Sequence, residues 1–262
     1  MCEIKKAERS DLAVFKKGET MKDSFKKKVA AIIAALILLC IASGAVYLRK
    51  NYVKIDGKIY KTDIQEISPN LRYTNIKEIN RCTEVEDLML TSANENDISS
   101  LADFKKLSIL TLSLSSVNRF DSKKISTFSS LQKLYTYRTD IDLGGFNNSN
   151  LSYVNILFSD VKNFDSLAGC LSLRSISLLD TIVDDNIIYS DGSYVMKDSK
   201  FLSSFDNVTE LAIYIDRIED VSGICEMDSL KSLTVSEGSI SDEAIDQLDD
   251  KGIKVTQKKS DD

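Results

Sequence analysis

The side chains that most often catalyse reactions or hold metal ions are sparse in this 262-residue chain. It contains no histidine, so the commonest general base and a common metal ligand are absent. The run Asp184-Asp185-Asn186 followed by Asp191-Gly192 is similar at first sight to a calcium loop, but the alternating ligands fail at Ile188 and no glutamate follows at the required distance. There is also no C-x-x-C pair. We therefore predict no catalytic residue, no metal site and no cofactor, and expect a protein that is not an enzyme.

Tyrosine is the residue type whose spacing points towards a function. Tyr135, Tyr137, Tyr153 and Tyr214 all follow the opening residue of a repeat block by two to six positions. Tyrosine joins a large ring to a hydroxyl group and is enriched among the residues that dominate interface energies. These side chains can bind a partner together only if the fold places them on one exposed face. Their use therefore depends on the elements that carry them.

The elements that carry these tyrosines belong to a sequence repeat. A block of the form L-x-x-L-x-L returns about every 22 residues. A fixed period in this range indicates a solenoid, because each unit is too small to bury its apolar face alone and becomes stable only by stacking on its neighbours. One interval, from the fifth block to the sixth, is 35 residues long. The seven blocks open at Val85, Leu107, Leu131, Leu151, Leu173, Val208 and Leu230.

The fullest copies of this repeat resemble a known family. The pattern I-x-x-I-x-x-C-x-x-V-x-x-L-x-L over residues 76–90 is similar to the 22-residue leucine-rich repeat of bacterial internalin-like surface proteins, and residues 161–178 and 218–235 carry further copies. The resemblance covers residues 52–256. It implies an α/β leucine-rich-repeat solenoid, a horseshoe with a concave parallel β-sheet. It also implies that the residue before, the residue between and the residue after the last two apolar positions of each block face the concave side.

The family commonly has an asparagine shortly after each strand, where its amide satisfies backbone groups at the bend. This chain departs from that pattern and is expected to have a less regular hydrogen-bond ladder. The corresponding positions are assigned to Asn96, Ser115, Thr139, Ser159, Asp180, Asp216 and Gly238.

The implied geometry places an apolar stripe on the concave face. Tyr137, Leu157, Leu179 and Tyr214 occupy the same row on four successive repeats, and strands about 4.8 Å apart would make the stripe roughly 15 Å long. An exposed apolar patch usually marks an interaction site. The predicted partner-binding residues are Tyr135, Tyr137, Tyr153, Leu157, Leu179 and Tyr214.

Two alternatives remain for this stripe. The insertion 184–200 contains a second alternating segment around Asp191-Gly192, which is typical of a hairpin. The hairpin could fold back and cover the stripe with Ile188, Tyr189, Tyr194 or Val195. The stripe could also be a contact between two copies of the chain, so a homo-oligomer is possible.

A membrane segment precedes the repeats. Val29 to Leu48 are twenty residues without a charge, and a helix of that length spans roughly 30 Å, the thickness of the bilayer's hydrocarbon core. Lys26, Lys27 and Lys28 precede it, so the positive-inside rule predicts a single-pass signal anchor with a cytoplasmic N-terminus. A cleavable signal peptide is the alternative, because Ser43-Gly44-Ala45 offers small residues near a possible cleavage site.

The resulting domain organisation has five parts. Residues 1–28 form a basic cytoplasmic tail, 29–48 the transmembrane helix, 49–63 a juxtamembrane segment with a hairpin around Asp56-Gly57, 64–256 the repeat domain and 257–262 a polar tail. Within the repeat domain, residues from Ser241 are expected to form a capped helix, and residues 252–255 a final edge strand. Cys82 and Cys170 fall in one core column, too far apart for a disulfide, and are expected to be buried free thiols.

Charge narrows the class of partner. Residues 1–28 hold nine basic and five acidic residues and Arg49 and Lys50 add two positive charges, so residues 51–262 carry a net charge of −12. An acidic body repels phosphate backbones, which argues against nucleic acid. The predicted function is a membrane-anchored, extracytoplasmic binding protein that recognises a protein or a cell-surface ligand through its concave face. A membrane-tethered scaffold that self-associates is the second hypothesis, and a glycan-acting enzyme is the third.

Overall fold

A computed structural model describes residues 4–69, 75–91, 104–113, 120–123 and 125–259, with side chains from residue 26 onward. The chain divides into two units, Met1–Tyr52 and Val53–Asp262. The first unit is the helix α1 (Ile4–Asn51). Within its stretch Lys26–Asn51, an 18-residue window has a mean hydropathy of 2.8 and no buried residue, so the helix is long and apolar enough to cross a membrane.

A two-stranded hairpin follows α1, and from Val53 onward it belongs to the second unit. Strands β1 (Tyr52–Ile55) and β2 (Lys58–Lys61) are joined by Asp56 and Gly57, which have φ angles of 49° and 81°. Two consecutive positive φ values are what a tight two-residue hairpin turn requires. Val53 and Ile55 point into the core of the unit. We call β1 and β2 the juxtamembrane hairpin.

The remaining strands form two sheets on the wall of a solenoid. In chain order they are β3 (Glu66–Ile67), β4 (Asp87–Thr91), β5 (Ile109–Ser113), β6 (Phe120–Asp121), β7 (Lys133–Tyr137), β8 (Ile141–Asp142), β9 (Tyr153–Leu157), β10 (Asp160–Lys162), β11 (Ser175–Leu179), β12 (Ile182–Val183), β13 (Ile187–Ser190), β14 (Ser193–Met196), β15 (Glu210–Tyr214), β16 (Arg217–Ile218), β17 (Ser232–Ser236) and β18 (Lys254–Lys258). A nine-stranded, all-parallel sheet has the order β18-β17-β15-β11-β9-β7-β5-β4-β3. A seven-stranded sheet has the order β16-β14-β13-β12-β10-β8-β6.

Short helices complete the coils on the side away from the nine-stranded sheet. They are α2 (Ile76–Ile79), α3 (Ser222–Cys225), α4 (Asp242–Asp250) and the 3-10 helices Ile125–Thr127, Phe164–Gly169 and Lys200–Leu202. The predicted C-terminal helix is present as α4, and the Ser241 side chain accepts a hydrogen bond from the backbone N–H of Ala244 at 3.2 Å. The predicted edge strand is present as β18, which pairs in parallel with β17.

The core runs along the interior of the solenoid. All seven residues that open the repeat blocks are buried, and five phenylalanines, Phe104, Phe128, Phe146, Phe164 and Phe205, are among its largest fully buried side chains. Cys82 and Cys170 are buried free thiols, as predicted. Burial raises the pKa of both thiols, which keeps them protonated and weakly nucleophilic at neutral pH.

Hydroxyl groups replace the family's asparagines at the bends, but not all where the spacing predicts. Thr139 and Ser159 are buried, and each hydroxyl lies within hydrogen-bond distance of a strand carbonyl. The assignment of Asp180 is wrong: Thr181 is buried instead, and its hydroxyl lies 3.0 Å from the carbonyl of Ile156 and 2.8 Å from that of Leu179. The reason is that Asp180 takes the left-handed conformation that turns the chain, one residue before the buried position. Asn96 and Ser115 lie outside the described residues.

Candidate functional site

The concave face of the nine-stranded sheet carries the three predicted rows in register. Lys133 pairs with Tyr153, Tyr153 with Ser175 and Ser175 with Glu210 in the first row. Tyr135 pairs with Asn155 and Asn155 with Ser177 in the middle row. Because all these pairings are parallel and without offset, side chains of one row stand side by side on successive coils. The core positions alternate with these rows and are buried.

The apolar stripe exists as a run of four neighbouring cross-strand partners. Tyr137 pairs with Leu157, Leu157 with Leu179 and Leu179 with Tyr214. Tyr137 is 38% exposed, and the other three residues are half-buried. We call these four residues the aromatic stripe. It lies at the carboxyl end of the strands, along one edge of the concave face.

The other two predicted residues form a pair beside the stripe. The rings of Tyr135 and Tyr153 have centroids 5.4 Å apart and planes inclined at 45°. Burial raises the pKa of Tyr153, and the nearby phenol of Tyr135 raises it further. Tyr153 is also close enough to Tyr214 to be influenced electrostatically, although β11 lies between their strands. The structure therefore brings all six predicted residues onto one face, in two adjoining groups.

Two further residues extend the stripe, and neither was predicted from the alternation of side chains along the strands. Phe158 is 40% exposed and meets the ring of Tyr137 edge-on, with centroids 5.7 Å apart and planes at 85°. The Arg138 guanidinium carbon lies 5.2 Å from the centroid of the Tyr137 ring, within the range of a cation–π contact. Tyr137 is thus held between an aromatic and a cationic neighbour.

A repeated backbone conformation explains why these side chains lie at the edge. Arg138, Phe158 and Asp180 directly follow β7, β9 and β11 and have φ values of 47°, 53° and 43°. Each donates its backbone N–H to the next coil, to the carbonyls of Leu157, Leu179 and Tyr214 respectively. A residue in this left-handed conformation no longer follows the alternation of side chains along the strand. A prediction from that alternation therefore stops at the last strand residue and omits the residue that follows it. The sequence did contain a signal for these residues, because a single residue separates the last residue of each strand from the serine or threonine whose hydroxyl is buried at the bend.

The insertion 184–200 forms a hairpin that joins the seven-stranded sheet. Strand β13 pairs antiparallel with β12 through Val183 and Ile187, and β14 pairs in parallel with β16 through Val195 with Arg217 and Met196 with Ile218. Neither strand pairs with the nine-stranded sheet. We call β13 and β14 the insertion hairpin. It is built into the wall of the solenoid by inserting two extra strands between neighbouring coils.

The two faces of the insertion hairpin differ. Ile187 and Met196 are fully buried in the core, and by strand alternation Tyr189 and Tyr194 share their face further along the hairpin. Ile188 and Val195 belong to the opposite face, which lines an outward cleft of about 470 Å³ together with Ser190, Ser193 and Arg217. Ile188 and Val195 pair with each other across the hairpin, and their strands do not pair with the strands that carry the aromatic stripe.

Tyr189 and Tyr194 lie next to the carboxyl ends of the concave strands. Their ring centroids are 4.8 Å apart, Tyr189 is 56% exposed, and Tyr194 packs on the core. The backbone N–H of Tyr194 donates to Oδ2 of Asp216, which follows β15 by two residues. Burial raises the pKa of Tyr194, and the carboxylate of Asp180, directly after β11, raises it further. The tyrosine pair thus stands at the edge of the concave face where Leu179 and Tyr214 end.

The surface formed by these side chains is mixed in chemistry. It combines aromatic rings, aliphatic side chains, phenol hydroxyls and a flanking acid pair, Asp180 and Asp216. Burial and, to a smaller extent, the Asp216 carboxylate raise the pKa of Asp180. Of the acids compared with a calcium loop, Asp184 accepts hydrogen bonds from the backbone N–H groups of Asn163 and Phe164 at 3.0 and 3.3 Å.

Comparison with known proteins identifies the architecture. No protein-family model and no curated protein matches the chain. Among solved structures, internalin C2 from Listeria monocytogenes matches with a TM-score of 0.54 and 21% sequence identity, over 77% of this chain and 86% of that one. Internalin F from the same organism gives a TM-score of 0.46, 17% identity and coverage of 77% and 66%. A leucine-rich-repeat protein from Leptospira interrogans gives a TM-score of 0.44 and 14% sequence identity, over 74% of this chain and 50% of that one. The likeness to internalin C2 and the parallel sheet confirm the predicted fold class, a leucine-rich-repeat solenoid.

Proposed function

We propose that this chain is a membrane-anchored leucine-rich-repeat protein that binds a protein or a cell-surface ligand through its concave face. The observation that carries the proposal is the aromatic stripe, because four large apolar side chains lie side by side on successive strands where a solenoid ordinarily presents polar groups to solvent. Contiguous exposed apolar surface with tyrosine at its ends has the composition of an interface core.

The contact surface in this proposal is larger than the six predicted residues. Phe158 and Arg138 extend it beyond Tyr137, and the exposed ring of Tyr189 extends it beyond Leu179 and Tyr214. The insertion hairpin then acts as a side wall of the site. A wall of this kind gives the stripe a concave profile and shields the centre of an interface from water, which is the arrangement in which hot-spot residues contribute most.

The location in this proposal rests on α1. The stretch Lys26–Asn51 is long and apolar enough to serve as the anchor, and Lys26, Lys27 and Lys28 at its start favour a cytoplasmic N-terminus. The repeat unit would then lie outside the cytoplasm, where a surface ligand can reach the concave face. The acidic charge of residues 51–262 favours a partner that is not a nucleic acid.

The test compares the full chain with a variant that carries Tyr137→Ser, Leu157→Ser, Leu179→Ser and Tyr214→Ser together. Both are placed in lipid nanodiscs, and their capture of solubilised cell-surface proteins is quantified side by side. A single hot-spot tyrosine contributes about 2 kcal/mol, which is roughly a thirtyfold change in affinity, so the quadruple variant should lose detectable capture.

Met89→Ser is the matched control, because Met89 is 37% exposed on the same face but lies on β4, away from the stripe. Thermal unfolding establishes that each variant is folded. A folded quadruple variant that keeps full capture would show that the stripe is not the site. Self-association of the wild-type chain alone in sedimentation, without any captured ligand, would favour the scaffold hypothesis, and turnover of a glycan panel would favour an enzyme.

A further inference from the structure

The outward face of the juxtamembrane hairpin combines an exposed apolar side chain with exposed lysines. Ile59 is 73% exposed, more than any other large apolar side chain that the structure describes. Lys54 alternates with the buried Val53 and Ile55 and therefore faces outward, whereas Tyr60, next to Ile59, packs against the core. The hairpin thus holds its inner face on the repeat unit and leaves Lys54, Ile59 and Lys61 in solvent.

The juxtamembrane hairpin has a net positive charge, whereas the rest of the repeat unit is acidic. Residues 52–61, which form the hairpin, contain three basic residues and one acid, whereas residues 62–262 carry a net charge of −14. Lys54, Lys58 and Lys61 are all exposed, and none of the three makes an ion pair with another residue of the described part of the chain. The positive charge is therefore available to an anionic surface.

The position of the hairpin in the chain identifies that surface. Lys54 follows Leu48, the last apolar residue of the uncharged stretch, by six residues. A chain reaches at most about 3.6 Å per residue, so Lys54 must lie within about 20 Å of the end of that stretch. If the stretch spans a membrane, phospholipid headgroups are within reach of the hairpin whatever partner the concave face binds.

We propose that the outward face of the juxtamembrane hairpin docks on anionic phospholipid headgroups at the surface where α1 leaves the membrane, with Ile59 entering the interfacial region. This inference rests on the membrane anchoring proposed above. Lysines attract anionic headgroups over about one Debye length, and an apolar side chain between them adds burial in the interface. Docking would fix where the first coil stands above the bilayer.

The experiment uses the full chain in nanodiscs of phosphatidylcholine alone or of an equimolar mixture of phosphatidylcholine and phosphatidylglycerol. Amide hydrogen exchange of residues 52–61 is the readout. We expect exchange several-fold slower in the phosphatidylglycerol-containing discs, with the difference lost at high salt because the attraction is screened. The variant Lys54→Ser/Lys58→Ser/Lys61→Ser should abolish the difference between the two lipids, and Ile59→Ser should reduce it.

Leu171→Ser is the matched control for Ile59→Ser, because Leu171 is 66% exposed but lies on the repeat unit away from the hairpin in sequence. It should leave the difference unchanged. Equal exchange in the two lipids, or slow exchange that persists in the triple variant, would overturn the proposal. Slow exchange that appears in phosphatidylcholine discs only when an acidic polypeptide is added would assign the face to a protein partner and would also overturn it.

Failure of anchoring is distinguishable from failure of docking. Retention of the chain in discs of phosphatidylcholine alone depends on α1 and not on the lysines, so it is measured first. A wild-type chain that does not stay with the discs would refute the anchoring and the docking together. A chain that stays, but whose hairpin exchanges equally in both lipids, would refute docking alone, and capture by the concave face is measured separately on the same discs.

Discussion

Tyr194 and Asp216 hold each other through two hydrogen bonds. The backbone N–H of Tyr194 donates to Oδ2 of Asp216 at 2.7 Å, and the backbone N–H of Asp216 donates to the carbonyl of Tyr194 at 3.2 Å. The first residue belongs to the insertion hairpin and the second follows the concave strand β15. These two hydrogen bonds connect the insertion hairpin, the side wall of the proposed site, to the coil that carries Tyr214.

Replacing Asp216 by alanine should loosen that wall. The side-chain acceptor for the Tyr194 N–H disappears while the core contacts of Ile187 and Met196 remain, so we expect faster amide exchange at residues 189–194 and a global stability loss of about 1 kcal/mol. If Tyr189 contributes to binding, ligand capture should also weaken. Lys197→Ala is the control, because this exposed lysine lies at the base of the same hairpin. Unchanged exchange in Asp216→Ala would show that the wall is held by the core alone.

Thr136 and Thr181 offer a matched pair of buried hydroxyl groups with opposite expectations. Thr136 occupies a core position of β7, and its Oγ1 has no hydrogen-bond partner among the described residues, whereas the Thr181 hydroxyl reaches two carbonyls. Thr136→Val should therefore raise the free energy of unfolding by about 1 kcal/mol, and Thr181→Val should lower it by about 1–2 kcal/mol. Urea unfolding of both variants measures the two changes in the free energy of unfolding. Changes of the same sign would contradict the conclusion that the Thr136 hydroxyl lacks a hydrogen bond while that of Thr181 has one.

Gly223 permits a close approach of two coils. A Cβ atom at this position would overlap the carbonyl oxygen of Ser199 and stand 2.5 Å from Cα of Lys200. Both neighbours are backbone, so they cannot rotate away, and Gly223→Ala should destabilise the repeat unit by about 3 kcal/mol. Gly169→Ala is the control, since its nearest contact would be the Asn147 side chain at 3.8 Å. Thermal unfolding should separate the two variants clearly, and a similar midpoint for both would refute the close packing.

Asp220 links the end of the insertion to α3. Burial by itself would raise the pKa of its carboxyl, but hydrogen bonds from the backbone and side chains of Ser199 and Ser222 outweigh that effect and lower the pKa below its ordinary value of 3.8. Because the folded-state pKa is the lower one, the stabilisation is present above the unfolded pKa and is lost as the pH falls through the folded pKa.

We therefore expect Asp220→Asn to be less stable than the wild type at pH 6, with a difference that shrinks below about pH 4 as the wild-type carboxylate becomes protonated. Urea unfolding of both proteins between pH 3 and pH 6 gives the two curves. Glu226→Gln serves as the control, because Glu226 is exposed at the C-terminal end of α3. Parallel curves for wild type and Asp220→Asn would show that the carboxylate contributes nothing specific.

The regular part of the molecule could be predicted because it depends on local periodicity. Apolar residues at fixed intervals can be buried together only if each coil repeats the path of the previous one, so the strand register followed from the spacing of Val85, Leu107, Leu131 and their successors. The same periodicity placed Tyr137, Leu157, Leu179 and Tyr214 on one row, and the structure pairs them in that row. The hairpin turns at Asp56-Gly57 and Asp191-Gly192 were equally local, since they depend on two residues that tolerate positive φ.

Sequence alone thus determined the solenoid, the long apolar helix before it and the content of the concave rows. Tertiary structure decided which residue of each bend turns into the left-handed conformation, and hence that Phe158 and Arg138 flank Tyr137 while Thr181, not Asp180, is buried. It also decided which sheet receives the insertion hairpin. An alternating segment can pair with any free strand edge. The choice depends on the backbone N–H groups of Asp216 and Glu219, which donate to the carbonyls of Tyr194 and Met196 and which only the stacking of the next coil brings to that edge.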